Sequence, residues 1–352
     1  MPLDCIDIHV HFGAPGDPDQ GDPCYWSEEF TATVAYRAFR LLTGTWLTGL
    51  NLAQAKKHIV GAVESAEMVD SCVLLALDQV YDELGRAHLK DRTHLYVSNE
   101  VILNLVKENP ELFFFGASVH PYRPDWRVQL DAAIADGAVL CKWIPSAQQI
   151  DPSHPLCEPF YEKLAAHKLP LLCHAGPELS IPTTNPAFDI FNNPKYLEKA
   201  LRLGVPVIIS HCALPFDFPE RPDLDTFEPY QELVRLVRLA DREGWSIYAD
   251  LSALLLFRDR YIPRVIADIP PHRLLFGSDY PIPMSDLAYK EKLSLLVWLR
   301  RFWRSLTQKN LLDKNYYLLQ DMGFDPSVFS NAIGLFAGIR RTLSAAGDPD
   351  GI

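Results

Sequence analysis

Features that direct a chain into a membrane or out of the cell are missing from this sequence. No run reaches the roughly 20 uninterrupted apolar residues that a membrane-spanning helix needs, and the first residues lack the basic segment and apolar core of a secretion signal. The seven cysteines are an odd number spread along a long chain, which does not indicate a disulfide framework. We therefore expect a soluble cytoplasmic protein whose cysteines are buried thiols.

Basic residues are scarce relative to acidic ones. The chain has 33 lysines and arginines against 45 aspartates and glutamates, which gives a formal net charge of -12. Such a surface does not attract polyanions, so nucleic acid and anionic membrane are not expected partners. A small molecule is the expected partner, and the sequence leaves open whether the chain forms a homo-oligomer.

Short apolar runs recur along the 352 residues, and most are followed by a longer amphipathic segment. Eight such runs are candidate strands: 5–10, 71–77, 113–119, 138–144, 169–173, 205–210, 245–249 and 273–277. Strands that alternate with helices form parallel sheets, and eight of them predict a (β/α)8 TIM barrel in the α/β class. We expect one domain over 1–352, with a helical insertion at 12–60 near the barrel mouth and extra C-terminal helices. Apolar residues at steps of three and four predict helices at 229–243 and 289–306.

The first run ends in two histidines, in the stretch CIDIHVHFG. On a regular strand His9 and His11 project to one face, while Ile8 and Val10 project to the other. That geometry suits two ligands of one metal ion. Two hydrogen-bonded polar side chains at a strand end would show the same pattern.

Titratable residues also end three of the later runs. His174 ends the run in LPLLCHAGPE, His211 the run in VPVIISHCALP, and Asp279 the run in RLLFGSDYPIP. Because the carboxyl ends of all strands in a parallel barrel meet at one rim, we expect these residues to converge with His9 and His11. Histidine nitrogens and a carboxylate suit zinc or a similar divalent ion with an open position for water.

With these motifs the chain resembles the amidohydrolase superfamily, in particular the branch of metal-dependent hydrolases and decarboxylases that includes aminocarboxymuconate semialdehyde decarboxylase. The resemblance extends to CKWIPSAQQIDP at the fourth strand and to NAIGLFAG near the C-terminus, so it covers most of the chain. It implies one divalent ion per chain, zinc or else manganese or iron. The ligands that it implies are His9, His11, His174 and Asp279.

The resemblance also implies roles in catalysis. A divalent ion lowers the pKa of a bound water to near neutrality and polarises a carbonyl. Asp279 would take the proton of the water and pass it to the leaving group. His211 would lie beside the single ion as a base or electrophile, since its ordinary pKa is close to physiological pH.

Lys142 allows more than one interpretation. It shares a strand face with Leu140 and Ile144, near the position where some members of the superfamily carry a carboxylated lysine that bridges two metals. The mononuclear branch has a lysine in the same context without a bridge. An uncarboxylated Lys142 would pair with a substrate carboxylate or with a nearby acid.

Other residues are weaker candidates for substrate contacts. Glu178 follows His174 in the loop and would touch substrate or orient a ligand histidine, unless it is a solvated loop acid. His120 and Arg123 follow the third strand, where an arginine would bind a carboxylate with two parallel hydrogen bonds, unless it forms an ordinary ion pair. Asp250 ends the seventh strand, and we interpret it as a helix cap. The aromatic residues Tyr25 and Trp26 of the insertion would line the pocket or anchor the loop that carries them.

Three functions are consistent with this pattern. The first is hydrolysis of an amide, lactone or ester carbonyl by metal-activated water. The second is nonoxidative decarboxylation of an unsaturated or aromatic carboxylic acid at the same site, with His211 managing the protons. The third is a barrel that has lost catalysis, which the complete set of expected ligands disfavours.

Overall fold

The computed structural model describes residues 4–42, 50–282, 299–300, 303 and 307–337. Its strands are β1 Ile6–His11, β2 Cys24–Trp26, β3 Ser71–Leu75, β4 Leu95–Val97, β5 Phe113–Ala117, β6 Leu140–Trp143, β7 Leu171–Cys173, β8 Val207–Ile209, β9 Ile247–Asp250 and β10 Leu274–Leu275. Its α-helices are α1 Glu28–Thr31, α2 Val34–Leu42, α3 Leu52–Glu64, α4 Asn99–Glu108, α5 Trp126–Ala135, α6 Pro145–Gln148, α7 Glu158–Ala166, α8 Glu198–Arg202, α9 Glu228–Glu243, α10 Ile262–Asp268, α11 Leu311–Asp321 and α12 at 331–337.

Eight of the strands form one parallel sheet in the order β1-β3-β5-β6-β7-β8-β9-β10. The chain beyond β10 returns to β1 and closes the sheet: Ile8 N donates to Phe276 O at 3.1 Å, and Asp279 N donates to His9 O at 2.9 Å. The predicted TIM barrel is confirmed, and each of the eight predicted strands overlaps an observed one; β1 and β9 each extend one residue beyond the predicted range. The same closing hydrogen bonds place Asp279 beside the two histidines of β1.

The face assignment on β1 was wrong for Ile8. The pairing of β1 with β3 changes register between Asp7 and Val10, because β1 carries an extra residue there. Such a bulge resets which side chains face inward. Ile6 and Ile8 therefore pack in the barrel interior with residues from the other barrel strands and from α12, while Val10 packs in the outer cluster against the helices.

The segment after β1 forms a wall over the barrel mouth. Its strand β2 pairs antiparallel with β4, and α1 begins at Ser27, whose hydroxyl accepts from Phe30 N at 3.0 Å. The rings of Trp26, Phe30 and Tyr36 contact one another with centroids 5.5 to 5.8 Å apart. The described parts of the segment predicted as a helical insertion, 12–60, contain the helices α1 and α2 and the start of α3, but also the strand β2.

The sequence predicted two helices with stated residue ranges. The one at 229–243 is observed as α9, which ends at Gly244 in the left-handed region with φ 71°, a conformation that glycine adopts without strain. The one at 289–306 lies almost entirely outside the described residues. Among the described residues, no helix is long and apolar enough to cross a membrane.

Candidate active site and metal centre

The five residues that end the strand runs in sequence line one pocket at the barrel mouth. His9 and His11 lie on β1, and His174 directly follows β7. His211 follows β8 and Asp279 follows β10, both with positive φ, of 57° and 63°. Non-glycine residues rarely adopt this conformation, and such strain is concentrated at functional sites.

Three of these residues form a compact cluster of ligand atoms. His11 Nε2 lies 3.1 Å from Asp279 Oδ1 and 3.2 Å from His9 Nε2, and His9 Nε2 lies 3.5 Å from Asp279 Oδ1. His174 lies outside this tight group, but its Nε2 is buried and has no hydrogen-bond partner among the described residues. A buried nitrogen without a hydrogen-bond partner destabilises the folded protein unless a ligand binds it. The donor set therefore fits a divalent ion with nitrogen and oxygen ligands.

Glu178 contacts His174 from the loop after β7. Its carboxylate Oε2 lies 3.5 Å from His174 Nδ1, while Oε1 accepts from the backbone N–H groups of Ser180 and Ile181 at 2.6 and 3.0 Å. The side chain is only 7% exposed, and this burial raises the pKa of Glu178. Glu178 thus contacts His174 and also lines the pocket.

Lys142 is fully buried on β6 at the floor of the pocket. Its Nζ lies 3.2 Å from His9 Nε2 and 3.1 Å from Ser210 Oγ. Burial lowers the pKa of Lys142, and the negative charges of Asp250 and Asp279 partly oppose that shift. The amine of Lys142 therefore directly adjoins the candidate metal-ligand cluster.

Burial and neighbouring groups determine which side chains of the site are ionised. Burial opposes ionisation of Asp279, but the hydrogen bond from His11 and the nearby His211 and His9 hold the pKa of the carboxyl well below its ordinary value. Burial lowers the pKa of His211 to about 3, so its imidazole is neutral near pH 7. The site thus pairs an ionised carboxylate with a neutral imidazole.

Asp250 was interpreted from the sequence as a helix cap, but its side chain belongs to this site. It is fully buried at the end of β9 and accepts from His9 Nδ1 at 2.8 Å and from His211 N at 2.8 Å. Ser252, also fully buried, lies between the two imidazoles, with Oγ 3.0 Å from His9 Nδ1 and 2.8 Å from His211 Nδ1. The strand-end position of Asp250 is the one sequence signal that could have identified it, since it matches the positions of His174 and His211. Ser252 carries no such signal.

His120 and Arg123 do not line the pocket. The His120 ring bonds to Gln148 O at 2.8 Å, and its other nitrogen accepts from Tyr122 N at 3.1 Å. Arg123 donates from Nη1 to the buried Asp78 at 2.8 Å, and its other nitrogens bind Asp125. Both side chains are committed to contacts that support the loops beneath the rim.

The upper part of the pocket is apolar. The space between its walls is about 820 Å³, including open solvent at the mouth. Trp26 lines it as predicted, whereas Tyr25 does not. The apolar walls that surround the polar floor are Phe12, Trp26, Phe30, Tyr36, Leu95, Ile144 and Ile181. A small pocket of this kind suits a substrate with an apolar body and one polar reacting group.

A TIM barrel whose rim carries a histidine and aspartate cluster is the architecture of a metal-dependent enzyme. The family model described as Amidohydrolase matches residues 6–301. The chain therefore belongs to the amidohydrolase family, as the motifs predicted, and is an enzyme of the hydrolase or decarboxylase type. The comparison with curated protein sequences gives no match.

Solved structures with the same fold include both hydrolases and decarboxylases. A probable 2-pyrone-4,6-dicarboxylic acid hydrolase from Acinetobacter baumannii, with citric acid bound, has a TM-score of 0.51 at 13% identity, covering 95% of this chain and 100% of that one. The 2,6-dihydroxybenzoate decarboxylase from Rhizobium has a TM-score of 0.53 at 13% identity, covering 96% and 99%. A dihydroxybenzoic acid decarboxylase from Polaromonas sp. JS666, with manganese and the inhibitor 2-nitroresorcinol, has a TM-score of 0.53 at 14% identity, covering 96% and 97%. At these identities the likeness establishes the fold alone.

Proposed function

We propose that the protein is a metal-dependent hydrolase that acts on an amide, lactone or ester carbonyl of a small molecule. The observation that carries the proposal is the position of Asp279, whose carboxylate lies 3.1 Å from His11 Nε2 and 3.5 Å from His9 Nε2 at the pocket floor. A carboxylate in that position can share an ion with the histidines and can also receive a proton from an attacking water.

The proposed site holds one ion per chain, with zinc as the first choice and manganese or iron as alternatives. The proposed ligands are His9, His11, His174 and Asp279. When bound, the ion activates water and polarises the substrate carbonyl.

The side chains of the site then move protons and orient the substrate. Asp279 takes the proton of the water as the water oxygen bonds to the carbonyl carbon, and it returns that proton to the leaving group as the old bond breaks. His211, neutral and beside the ligand cluster, orients the attacking water by accepting a hydrogen bond from it, while the proton itself passes to Asp279. Lys142 pairs with a negative group of the substrate, and the aromatic wall excludes water from the apolar body.

A second candidate is nonoxidative decarboxylation of an unsaturated or aromatic carboxylic acid. Lys142 favours it, because a buried amine 3.2 Å from His9 Nε2 is a suitable counter-ion for a carboxylate held at the pocket floor. In this reaction the bond between the substrate carbon and its carboxylate breaks, carbon dioxide leaves, and a proton that comes from solvent water and is relayed by His211 replaces it on carbon. In both candidate reactions Lys142 acts as a free amine that is not carboxylated.

Metal content and product analysis test these proposals together. Protein purified without added metal or chelator is expected to contain about one divalent ion per chain by elemental analysis, and the His9→Ala, His11→Ala double variant is expected to contain none. The control is His272→Ala, at an exposed position outside the pocket. Two ions per chain would indicate a carboxylated Lys142, and no ion after incubation with zinc or manganese would contradict the metal site.

The loaded enzyme is then assayed with lactones, esters and amides, and separately with unsaturated and aromatic carboxylic acids. Incorporation of labelled oxygen from water into a carboxylate product supports hydrolysis. Release of carbon dioxide from an acid, with no oxygen incorporation, supports decarboxylation instead. Absence of both reactions over the whole panel, in protein that binds one ion, would contradict both candidates.

A further inference from the structure

The hydrogen bonds between Asp250, Ser252 and the two histidines allow only one arrangement of protons. Asp250 Oδ1 accepts from two backbone groups, His211 N at 2.8 Å and Ser252 N at 3.1 Å, and backbone N–H groups only donate. The Ser252 hydroxyl also contacts this oxygen closely. A carboxylate that receives this many donors is an acceptor only, so the single hydroxyl proton of Ser252 points to Asp250.

The hydroxyl oxygen of Ser252 then has only lone pairs left for its other neighbours. These neighbours are His9 Nδ1 at 3.0 Å and His211 Nδ1 at 2.8 Å. Both ring nitrogens must therefore carry a proton. Each of them also faces a second acceptor, because His9 Nδ1 lies 2.8 Å from Asp250 Oδ2 and His211 Nδ1 lies 2.9 Å from the carbonyl oxygen of Ser252.

A neutral imidazole carries one proton, so a proton on Nδ1 leaves Nε2 as an acceptor. In His9 this is the atom that lies 3.2 Å from Lys142 Nζ and 3.2 Å from His11 Nε2. The four groups also tie β1, β8 and β9 together beneath the pocket. The two rings stack with centroids 5.2 Å apart, which fixes their relative orientation.

We infer that Asp250 and Ser252 are positioning residues that hold His9 and His211 in the same Nδ1–H tautomer, so that both rings present an unprotonated Nε2 toward the pocket. The tautomers follow from the hydrogen bonds alone, whereas their use in catalysis rests on the proposed function. A hydrogen bond to the ring nitrogen that does not bind the metal commonly sets the tautomer and basicity of a metal-binding histidine.

Nuclear magnetic resonance of the metal-free protein with nitrogen-15 labelled histidines tests the inference directly. The His9 and His211 signals are assigned by loss of each signal in His9→Gln and His211→Gln. Both residues are expected to show a protonated Nδ1 and an unprotonated Nε2 at neutral pH. A major Nε2–H form of either residue would overturn the inference, and this measurement needs no variant of Asp250.

Asp250→Asn provides a sharper test because it should affect only one ring. The amide oxygen must still accept from the backbone N–H groups of His211 and Ser252, which turns its NH2 group toward His9 Nδ1. We expect His9 to switch to the Nε2–H form while His211 keeps Nδ1–H. Zinc affinity, measured by competition with a chromophoric chelator, should fall by about 10- to 100-fold.

Asp313→Asn is the matched control, since Asp313 is also a fully buried aspartate that accepts two backbone N–H groups, from Glu67 and Met68. It lies outside the pocket and should change neither tautomer nor zinc affinity. An unchanged His9 tautomer in Asp250→Asn, or equal effects of Asp250→Asn and Asp313→Asn on tautomers and zinc affinity, would overturn the role of Asp250.

Ser252→Ala separates the contribution of the Ser252 hydroxyl from that of the Asp250 carboxylate. It keeps Asp250 and the carbonyl oxygen of residue 252, so both tautomers should persist and zinc affinity should fall less than in Asp250→Asn. The reverse order of effects would overturn the assignment of His9 to Asp250. These spectra and zinc affinities are independent of turnover, so a failure to find a hydrolysed substrate would count against the proposed function alone.

Discussion

Gly277 packs closely against residues of the candidate metal site. A Cβ atom at this position would lie 3.0 Å from His9 Cβ, 3.4 Å from Ser252 Cβ and 3.7 Å from Asp250 Cβ. All three neighbours are fully buried and belong to the hydrogen-bonded floor of the pocket. Gly277→Ala must therefore displace His9 by a few tenths of an ångström, because an added Cβ atom 3.0 Å from His9 Cβ is closer than nearly all Cβ contacts in proteins.

Two consequences are expected for Gly277→Ala. Overpacking of this kind lowers the free energy of unfolding by about 1 to 3 kcal/mol. Metal–ligand distances tolerate only about 0.2 Å of variation, so a shift of His9 relative to His11 and Asp279 should weaken zinc binding about tenfold or more. Urea unfolding of the metal-free protein measures the first effect, and competitive zinc titration measures the second.

Gly61→Ala is the matched control. Gly61 lies in the exposed part of α3, and no atom of the described residues is within 4 Å of the added methyl group. Because alanine is favoured over glycine within a helix by up to about 1 kcal/mol, this variant should gain stability and bind zinc as the wild type does. A Gly277→Ala protein as stable as Gly61→Ala, with wild-type zinc affinity, would refute the close packing of Gly277 against His9.

Two further predictions concern the candidates that lie outside the pocket. Burial lowers the pKa of His120 from its ordinary 6.5 to about 3, so the unfolded chain binds more protons between these values and the protein loses stability as the pH falls through that range. His120→Gln should reduce the slope of the free energy of unfolding against pH by up to about 1.4 kcal/mol per pH unit. Urea unfolding at several pH values measures this slope, and equal slopes for the wild type and the variant would contradict the prediction. Arg123→Met leaves the buried Asp78 without the cation that lies 2.8 Å away, so the free energy of unfolding should fall by about 3 kcal/mol with metal content unchanged. Unchanged stability combined with weaker substrate binding would instead place Arg123 in the site.

The grouping of the pocket residues could be predicted because it depends on strand order alone. In a parallel barrel the carboxyl ends of all strands lie at one rim, so His174, His211 and Asp279 had to meet His9 and His11 once eight strands were recognised. The spacing of apolar runs carries that information without any knowledge of side-chain packing.

Contacts between side chains could not be predicted in this way. The same rule that grouped the ligands also placed His120 and Arg123 near the rim, but it could not show that Gln148 and Asp78 hold them in other contacts. Asp250 ends a strand exactly as a ligand does, yet its carboxylate points at His9 Nδ1 from behind the site. The direction in which a side chain points and its distance from the site distinguish a metal ligand from a residue that orients the ligand, and strand order encodes neither.

The sequence by itself determined the barrel, the family and the set of residues at the rim, because periodicity and strand ends are local properties of the chain. Only the tertiary structure decided the bulge in β1, the tie of Asp250 and Ser252 to both histidines, and the aromatic wall of the insertion. The bulge and the tie depend on residues that are far apart in sequence, such as His9 and Asp250, whose contact forms only when the last strands close against the first. The residues of the aromatic wall are close in sequence, but their rings meet only in the folded insertion. The physical reason is that hydrogen-bond partners and packing neighbours are set in three dimensions to within a few tenths of an ångström, whereas sequence patterns specify only which face and which end of an element a residue occupies.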